Sequence, residues 1–388
     1  MIDEALIDDP EALRLADDRG DLRMLASAGA RVRTAARLAE EAGLADLRPE
    51  GRPRAVFIAG QGQAALAADT LAALGGYAGP VLTLRPTAES DPEDGAAAGS
   101  AEWALPGWAG ALDLVLALTP DGSEPGLTAL AAQAYTRNCT FVSVAPPGSP
   151  LAEATVQARG LPLPFRPGAA GTAEGDAGSE GALSPAGRSG GEFWPLLVPA
   201  LALADRIGVL SCPAEQLSAV AEALDEAAIL CRPDAAAFLN PAKTLAVELD
   251  GTLPLLWSEG PLAAAAADRF AAALAAQAGR PALTGGLPEA FATHLGLLLP
   301  AEEADVEDFF RDRVAEPEPG AGARPQLVLL RTEMEPSRVT AHALRLAEEH
   351  AVPVQQLATT RADPLPAFAE LVATADFAAA YTRLASAH

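Results

Sequence analysis

The feature that most restricts the fold is a series of short, uninterrupted apolar runs separated by helical stretches, and it occurs twice. "AVFIAG" (55–60), "PVLTL" (80–84), "LDLVLALT" (112–119) and "TFVSVA" (140–145) are expected strands. Between and after them, "AALAADTLAALGG", "EPGLTALAAQAYTRN" and residues 150–158 are expected helices. Strands without polar alternation are buried on both faces, which is the condition of a parallel sheet covered by helices on each side. A second series starts at "LPLLW" (253–257) and runs through "PALTG" (281–285), "QLVLLR" (326–331) and "VPVQQL" (352–357). Helices are expected there over 261–278, 287–297, 302–315, 336–350 and 364–386. The predicted fold class is α/β, with two flavodoxin-like three-layer domains built on parallel sheets.

The remaining segments set the expected boundaries. Residues 1–50 carry leucines and alanines at helical spacing and are read as a helical lead-in to a first domain over 51–165. Residues 166–192, "RPGAAGTAEGDAGSEGALSPAGRSGGE", form a low-complexity loop. Helices over 193–210 and 213–230 give a helical hinge at 193–250, before a second domain at 251–388. An acidic Pro/Gly linker is expected at 316–325.

Charge narrows the function. There are 52 acidic against 27 basic residues, a formal charge of −25. Nucleic acid and anionic lipid both require basic surface, so neither is an expected partner. The run "FWPLLVPALALA" (193–204) is too short to span a bilayer, and "MIDEALIDDPEAL" does not resemble a secretory signal. The expected location is therefore cytoplasmic. Cys139, Cys212 and Cys231 are odd in number and far apart, and the four histidines show no HxxH or HExxH spacing. Neither a metal nor another cofactor is expected.

Four stretches carry candidate chemistry. "GQGQAA" (60–65) follows the first strand and opens a helix, where backbone N–H groups and the helix dipole converge on an anion. It also matches GxGxxA, so an NADP site on Gly60, Gly62 and Ala65, with Arg85 on a 2′-phosphate, stands as one reading. "LTPDGSEPG" (118–126) is a second such turn, with hydroxyls at Thr119 and Ser123 and an opposing charge at Asp121. Simple capping by Ser123 is the alternative. Lys243 is the single lysine among otherwise arginine cations, suited to a point-charge contact or a tightly packed stem. In "GGLPEAFATHLG" (285–296), Glu289 and His294 lie five apart, an imperfect spacing for one helix face.

Taken together these stretches resemble the sugar isomerase (SIS) family, in particular the bifunctional phosphoglucose/phosphomannose isomerases with two SIS domains. "VFIAGQGQAALAAD" is similar to the family's GxGGSAxxGD-type turn, and "DLVLALTPDGSEPGL" to its DLVIxxSYSGNTEET-type phosphate loop. "NPAKTLAVELDGTLPLLW" and the C-terminal segment from "QLVLLRTEMEPSRVTAHALRLAEE" onward carry the most specific likeness. The resemblance implies a phosphorylated sugar as ligand, held by Gly60, Gly62, Gln63, Thr119, Asp121, Ser123 and Lys243, and a homodimer.

The departures fall in the chemistry. The family's first-loop serine aligns with Ala64, its catalytic glutamate with Ala276 beside Gln277, and its ring-opening histidine near Ala292, two residues from His294. Aldose–ketose isomerisation needs a base at C1–C2, a proton carrier at the ring oxygen and donors for the phosphate. Alanine supplies none of these. The expectation is an SIS-fold sugar-phosphate binding protein with weak or lost catalysis. The second reading is an active isomerase in which Glu289 and His294 substitute as proton carriers. An NADP-binding oxidoreductase is the third.

Overall fold

The computed structural model describes residues 2–49, 51–76, 79–88, 101–166, 191–298, 324–333 and 335–386. Gly20–Ile229 forms one compact unit; Met1–Arg19 together with Leu230–His388 forms the other. This division differs from the expected one: it cuts the lead-in at 1–50 after Arg19 and the hinge at 193–250 after Ile229. Packing is the reason. Ala28–Glu41 (α1) packs on Phe193–Arg206, whereas the short helices Glu4–Ile7 and Pro10–Ala16 pack on the C-terminal helix Pro364–Ala385.

Among its described residues the first unit holds a sheet of five parallel strands: β1 (Val56–Ala59), β2 (Val81–Leu84), β3 (Leu114–Leu118), β4 (Thr140–Ala145) and β5 (Leu161–Pro164), in the order β2-β1-β3-β4-β5. Its further helices are α2 (Gln63–Gly75), α3 (Pro125–Thr136), α4 (Pro150–Gln157), α5 (Phe193–Arg206) and α6 (Ala214–Leu230). Every residue of β1 and β3 is buried, as continuous apolar runs require. Phe57, Val115 and Phe141 pack one sheet face against Leu127, Leu130, Leu151 and Trp103. Each such side chain contributes about 1.5–3 kcal/mol on leaving water. β5 reads "LPLP" and escapes a pattern search because Pro162 and Pro164 cannot donate to two neighbours. It is an edge strand, paired only to β4.

Among its described residues the second unit holds a sheet of four parallel strands: β6 (Thr252–Glu259), β7 (Leu283–Gly286), β8 (Arg324–Arg331) and β9 (Val354–Ala358), in the order β9-β8-β6-β7. Its main helices are α7 (Pro241–Glu248), α8 (Pro261–Ala278), α9 (Arg338–Glu349) and α10 (Pro364–Ala385). Trp257, Leu255, Leu327 and Leu329 fill the core with Ala343, Ala347 and Leu298. Nearly all of α10 is buried, packed on α7 and α8. The expected helix at 302–315 and most of the loop at 166–192 lie outside the described residues. The expected linker at 316–325 overlaps the start of β8 at Arg324. Over 287–297 there is a turn followed by two single-turn helices, Ala290–Thr293 and Leu295–Leu298, instead of one continuous helix.

The order β2-β1-β3-β4-β5 is that of doubly wound sheets, which reverse direction of growth between β1 and β3. In such sheets ligands bind beyond the carboxyl ends of the strands at that point. The turns after β1 and β3 are the two glycine-containing stretches singled out above.

Candidate functional site

The first turn leaves β1 at Gly60 and enters α2 at Gln63, with Gly62 at φ +59° as the capping residue. A side chain is excluded at Gly60: a Cβ there would lie 2.7 Å from the Ala64 methyl and 3.0 Å from the Leu118 carbonyl oxygen. The turn is therefore pressed against the end of β3. Ala64 is fully buried beneath it. The N–H groups of Ala64 and Ala65 donate to the carbonyls of Gln61 and Gly62, both at 3.1 Å. Position 64 thus serves packing, and its methyl offers no grip on a ligand.

The second turn is closed on itself. Thr119, 1% exposed, accepts the N–H groups of Asp121 at 3.1 Å and Gly122 at 2.9 Å on its hydroxyl oxygen. The same hydroxyl donates to the Glu124 carboxylate, whose oxygens lie 2.6 and 2.8 Å away. Ser123 donates to the Asp121 carboxylate. Both hydroxyls predicted to grip a phosphate are spent on carboxylates of their own loop. At about 4 Å and an effective dielectric near 20, each like-charge pair costs about 4 kcal/mol. A charge-assisted hydrogen bond returns about 1.5–3 kcal/mol. The balance weakens a phosphate directly over this loop. Glu124 had no sequence signal as a partner of Thr119, since a spacing of five is not that of a capping box.

Arg85, the basic residue of the NADP reading, follows β2 and holds its guanidinium on both carboxylate oxygens of Asp69, at 2.8 and 2.7 Å.

Lys243, Glu289 and His294 belong to the second unit. Lys243 is 1% exposed, and its ammonium donates to the carbonyls of Pro233 (2.7 Å) and Ala235 (2.9 Å), 5.7 Å from the Tyr381 ring centre. Burial pushes its pKa down, opposed by Asp8 and Asp234. Tyr381 in turn donates to the Cys231 carbonyl at 2.6 Å. The chain's single lysine thus holds the 231–240 connection in place; its three donors suit carbonyls that point from a tight seam.

His294 accepts the indole N–H of Trp257 on Nδ1 at 2.9 Å, so the neutral ring carries its proton on Nε2. Gly285 makes room for it: a Cβ there would lie 2.9 Å from His294 Cε1. Burial holds the imidazole below its ordinary pKa, in the neutral form. Glu289 precedes the helix Ala290–Thr293, is exposed and caps nothing with its side chain. A histidine whose Nδ1 is committed and whose Nε2 is protonated donates hydrogen bonds but does not collect a proton. Trp257, which fixes this state, reads in the sequence only as a core residue.

Residues 238–387 match the family model described as the bacterial phospho-glucose isomerase C-terminal SIS domain. The C-terminal part of the chain is therefore similar to an SIS domain of the phosphoglucose-isomerase kind. Solved structures share the fold over most of the chain. One, assigned as a phosphosugar isomerase from Silicibacter pomeroyi DSS-3, is 15% identical with a TM-score of 0.56, covering 93% of this chain and 96% of its own. Glucosamine-6-phosphate deaminase from Thermotoga maritima, at 10% identity and TM-score 0.56, covers 94% of each chain. The C-terminal domain of glucosamine-fructose-6-phosphate aminotransferase from Francisella tularensis, at 10% identity and TM-score 0.54, covers 94% of this chain and 95% of its own. A search of curated proteins finds no match. Among the described residues, no group of three or more acidic, histidine or cysteine side chains is placed to hold a metal ion. No described helix is long and apolar enough to cross a membrane.

Proposed function

We propose that this SIS-domain protein binds a phosphorylated sugar, or a closely related carbohydrate derivative, without isomerising it. The binding half is supported by the fold and its switch-point turns, and by the similarity in fold to proteins described as phosphosugar isomerase, glucosamine-6-phosphate deaminase and glucosamine-fructose-6-phosphate aminotransferase. The observation that carries the non-catalytic half is the state of the candidate proton carriers. His294 is held neutral with Nδ1 occupied by Trp257, and Glu289 stands exposed at a helix start. Loss of a general base alone removes about 10²–10⁴ of rate.

The closed Thr119–Glu124 turn supports weak affinity. Gly60, Gly62 and Gln63 at the start of α2 remain the better anchoring point, together with Thr119, Asp121 and Ser123 at the margin. Lys243 contributes through the fold of the second unit. A homodimer and a cytoplasmic location belong to the same reading, and light scattering after gel filtration tests the former.

The test is calorimetric titration with fructose 6-phosphate, glucose 6-phosphate and unphosphorylated glucose. Phosphate-dependent binding weaker than about 0.1 mM, roughly −5 kcal/mol, is expected. Equal responses to glucose and glucose 6-phosphate, or none to any sugar phosphate, would contradict the proposal.

A further inference from the structure

The first unit contains a recess walled mainly by helices. α1 and α6 touch at one end, where Gly29 is indispensable: a Cβ there would lie 2.6 Å from the Ala221 carbonyl oxygen. From that contact the two helices flank a cavity of about 420 Å³, closed on its third side by α5 and by the turn Leu44–Asp46. This volume lies within the range of small-molecule sites. Its floor is apolar, with Val32 fully buried, Leu217 and Cys212 nearly so, and the methyls of Ala36 and Ala202 facing them.

The rim carries two cations and two carboxylates, differently engaged. Arg33 pairs with Asp225 at 2.7 Å, and Arg206 donates to the carbonyls of Ala45 (2.6 Å) and Leu47 (2.9 Å). Arg33 is balanced by Asp225, whereas Arg206 keeps its charge on neutral carbonyls, so the rim together with Asp225 is left at a net charge of −1; both cations are nevertheless anchored. The rim carboxylates are not: Glu40 and Asp205 form no ion pair among the described residues. Asp205 accepts only the Cys212 N–H, at 2.7 Å, among the described hydrogen bonds.

We infer that this cavity binds a small amphipathic cation, an amine whose hydrocarbon body lies on Val32, Ala36 and Leu217 while its ammonium faces Glu40 and Asp205. The chain's formal charge of −25 adds to the attraction. An anionic ligand is disfavoured by the same rim, which separates this site from the sugar-phosphate reading; neither depends on the other. The apolar floor supplies most of the affinity and the carboxylates supply selectivity.

Hexylammonium, hexanol and hexanoate share a body and differ in charge, and saturation-transfer NMR or calorimetry ranks them. Hexylammonium is expected to bind tighter than hexanol by roughly two- to fivefold, with hexanoate weakest. Glu40→Gln narrows the gap between ammonium and alcohol, and Ala36→Trp, which fills the cavity, abolishes binding of all three. If Ala36→Trp fails to fold, Ser218→Trp on the facing helix makes the same test. Equal binding of the three probes, no binding, or binding unaffected by the filling variants would overturn the inference. So would a wild-type dimer that either filling variant converts to a monomer, because the recess would then be an interface between copies.

Discussion

Thr119 and Glu124 hold the turn after β3 shut: one hydroxyl donates to two carboxylate oxygens at 2.6 and 2.8 Å while accepting two backbone N–H groups. A turn that serves phosphate must aim those N–H groups outward. Here they satisfy a side chain of the loop itself, and the loop presents negative charge. Glu124→Gln removes that charge and keeps an acceptor. Affinity for inorganic phosphate and for fructose 6-phosphate is expected to rise by about five- to tenfold, about 1–1.4 kcal/mol, and titration of the variant against the parent measures it. An unchanged affinity would mean that the ligand sits elsewhere.

Thr119→Val tests the same turn by stability. It leaves the N–H of buried Gly122 without its acceptor, at a cost of about 1–3 kcal/mol, read as a lower midpoint in urea with the slope unchanged.

Lys243 yields a prediction in the second unit. Lys243→Met keeps the stem and removes the ammonium from the carbonyls of Pro233 and Ala235. A loss of about 1–3 kcal/mol is expected in thermal or chemical unfolding. Sugar-phosphate binding per folded molecule should be unaffected. Loss of binding with intact stability would assign the ammonium to the ligand.

Arg269 and Asp376 form a pair 2.7 Å apart between α8 and α10, each side chain less than 5% exposed. Burial pushes the Asp376 pKa up, and Arg269 opposes the shift. Arg269→Met alone strands a buried carboxylate and should cost about 3–5 kcal/mol. The double variant Arg269→Met, Asp376→Leu should recover most of this, because desolvating two charges offsets much of their attraction. A double variant as unstable as the single would show the pair to be net favourable.

His294 gives a pH dependence. Its folded-state pKa is pushed below the ordinary 6.5, so the unfolded chain binds a proton first as pH falls. Its contribution is present above about pH 6.5 and is lost as pH falls through the folded value. Stability measured from pH 8 to 5 should fall with this component, and His294→Ala should flatten that part of the slope. Trp257→Phe, which removes the donor to Nδ1, should raise the His294 pKa measured by NMR.

The strands were legible where burial on both faces left continuous apolar runs, as in "AVFIAG" and "LDLVLALT". β5 was not, because its prolines are tolerated only by its edge position. The assignment of residues 2–19 to the C-terminal unit was equally hidden: it depends on contacts with Pro364–Ala385, more than three hundred residues away in sequence. At the site, the glycines of the first turn declared a tight approach, and Gly60 makes one. What those turns do with their donors was not readable. A threonine that closes on a glutamate five residues later, and a tryptophan that fixes a histidine's proton thirty-seven residues away, are tertiary facts.

The central claim, an isomerase-like fold without proton transfer between C1 and C2, is tested most directly by exchange. Glucose 6-phosphate, mannose 6-phosphate and fructose 6-phosphate are incubated with the protein in D₂O, and loss of the C1 and C2 protons is followed by NMR. The account predicts no exchange above buffer. Washout or interconversion faster than about 1 s⁻¹ per molecule, the low end of ordinary enzymes, would contradict it.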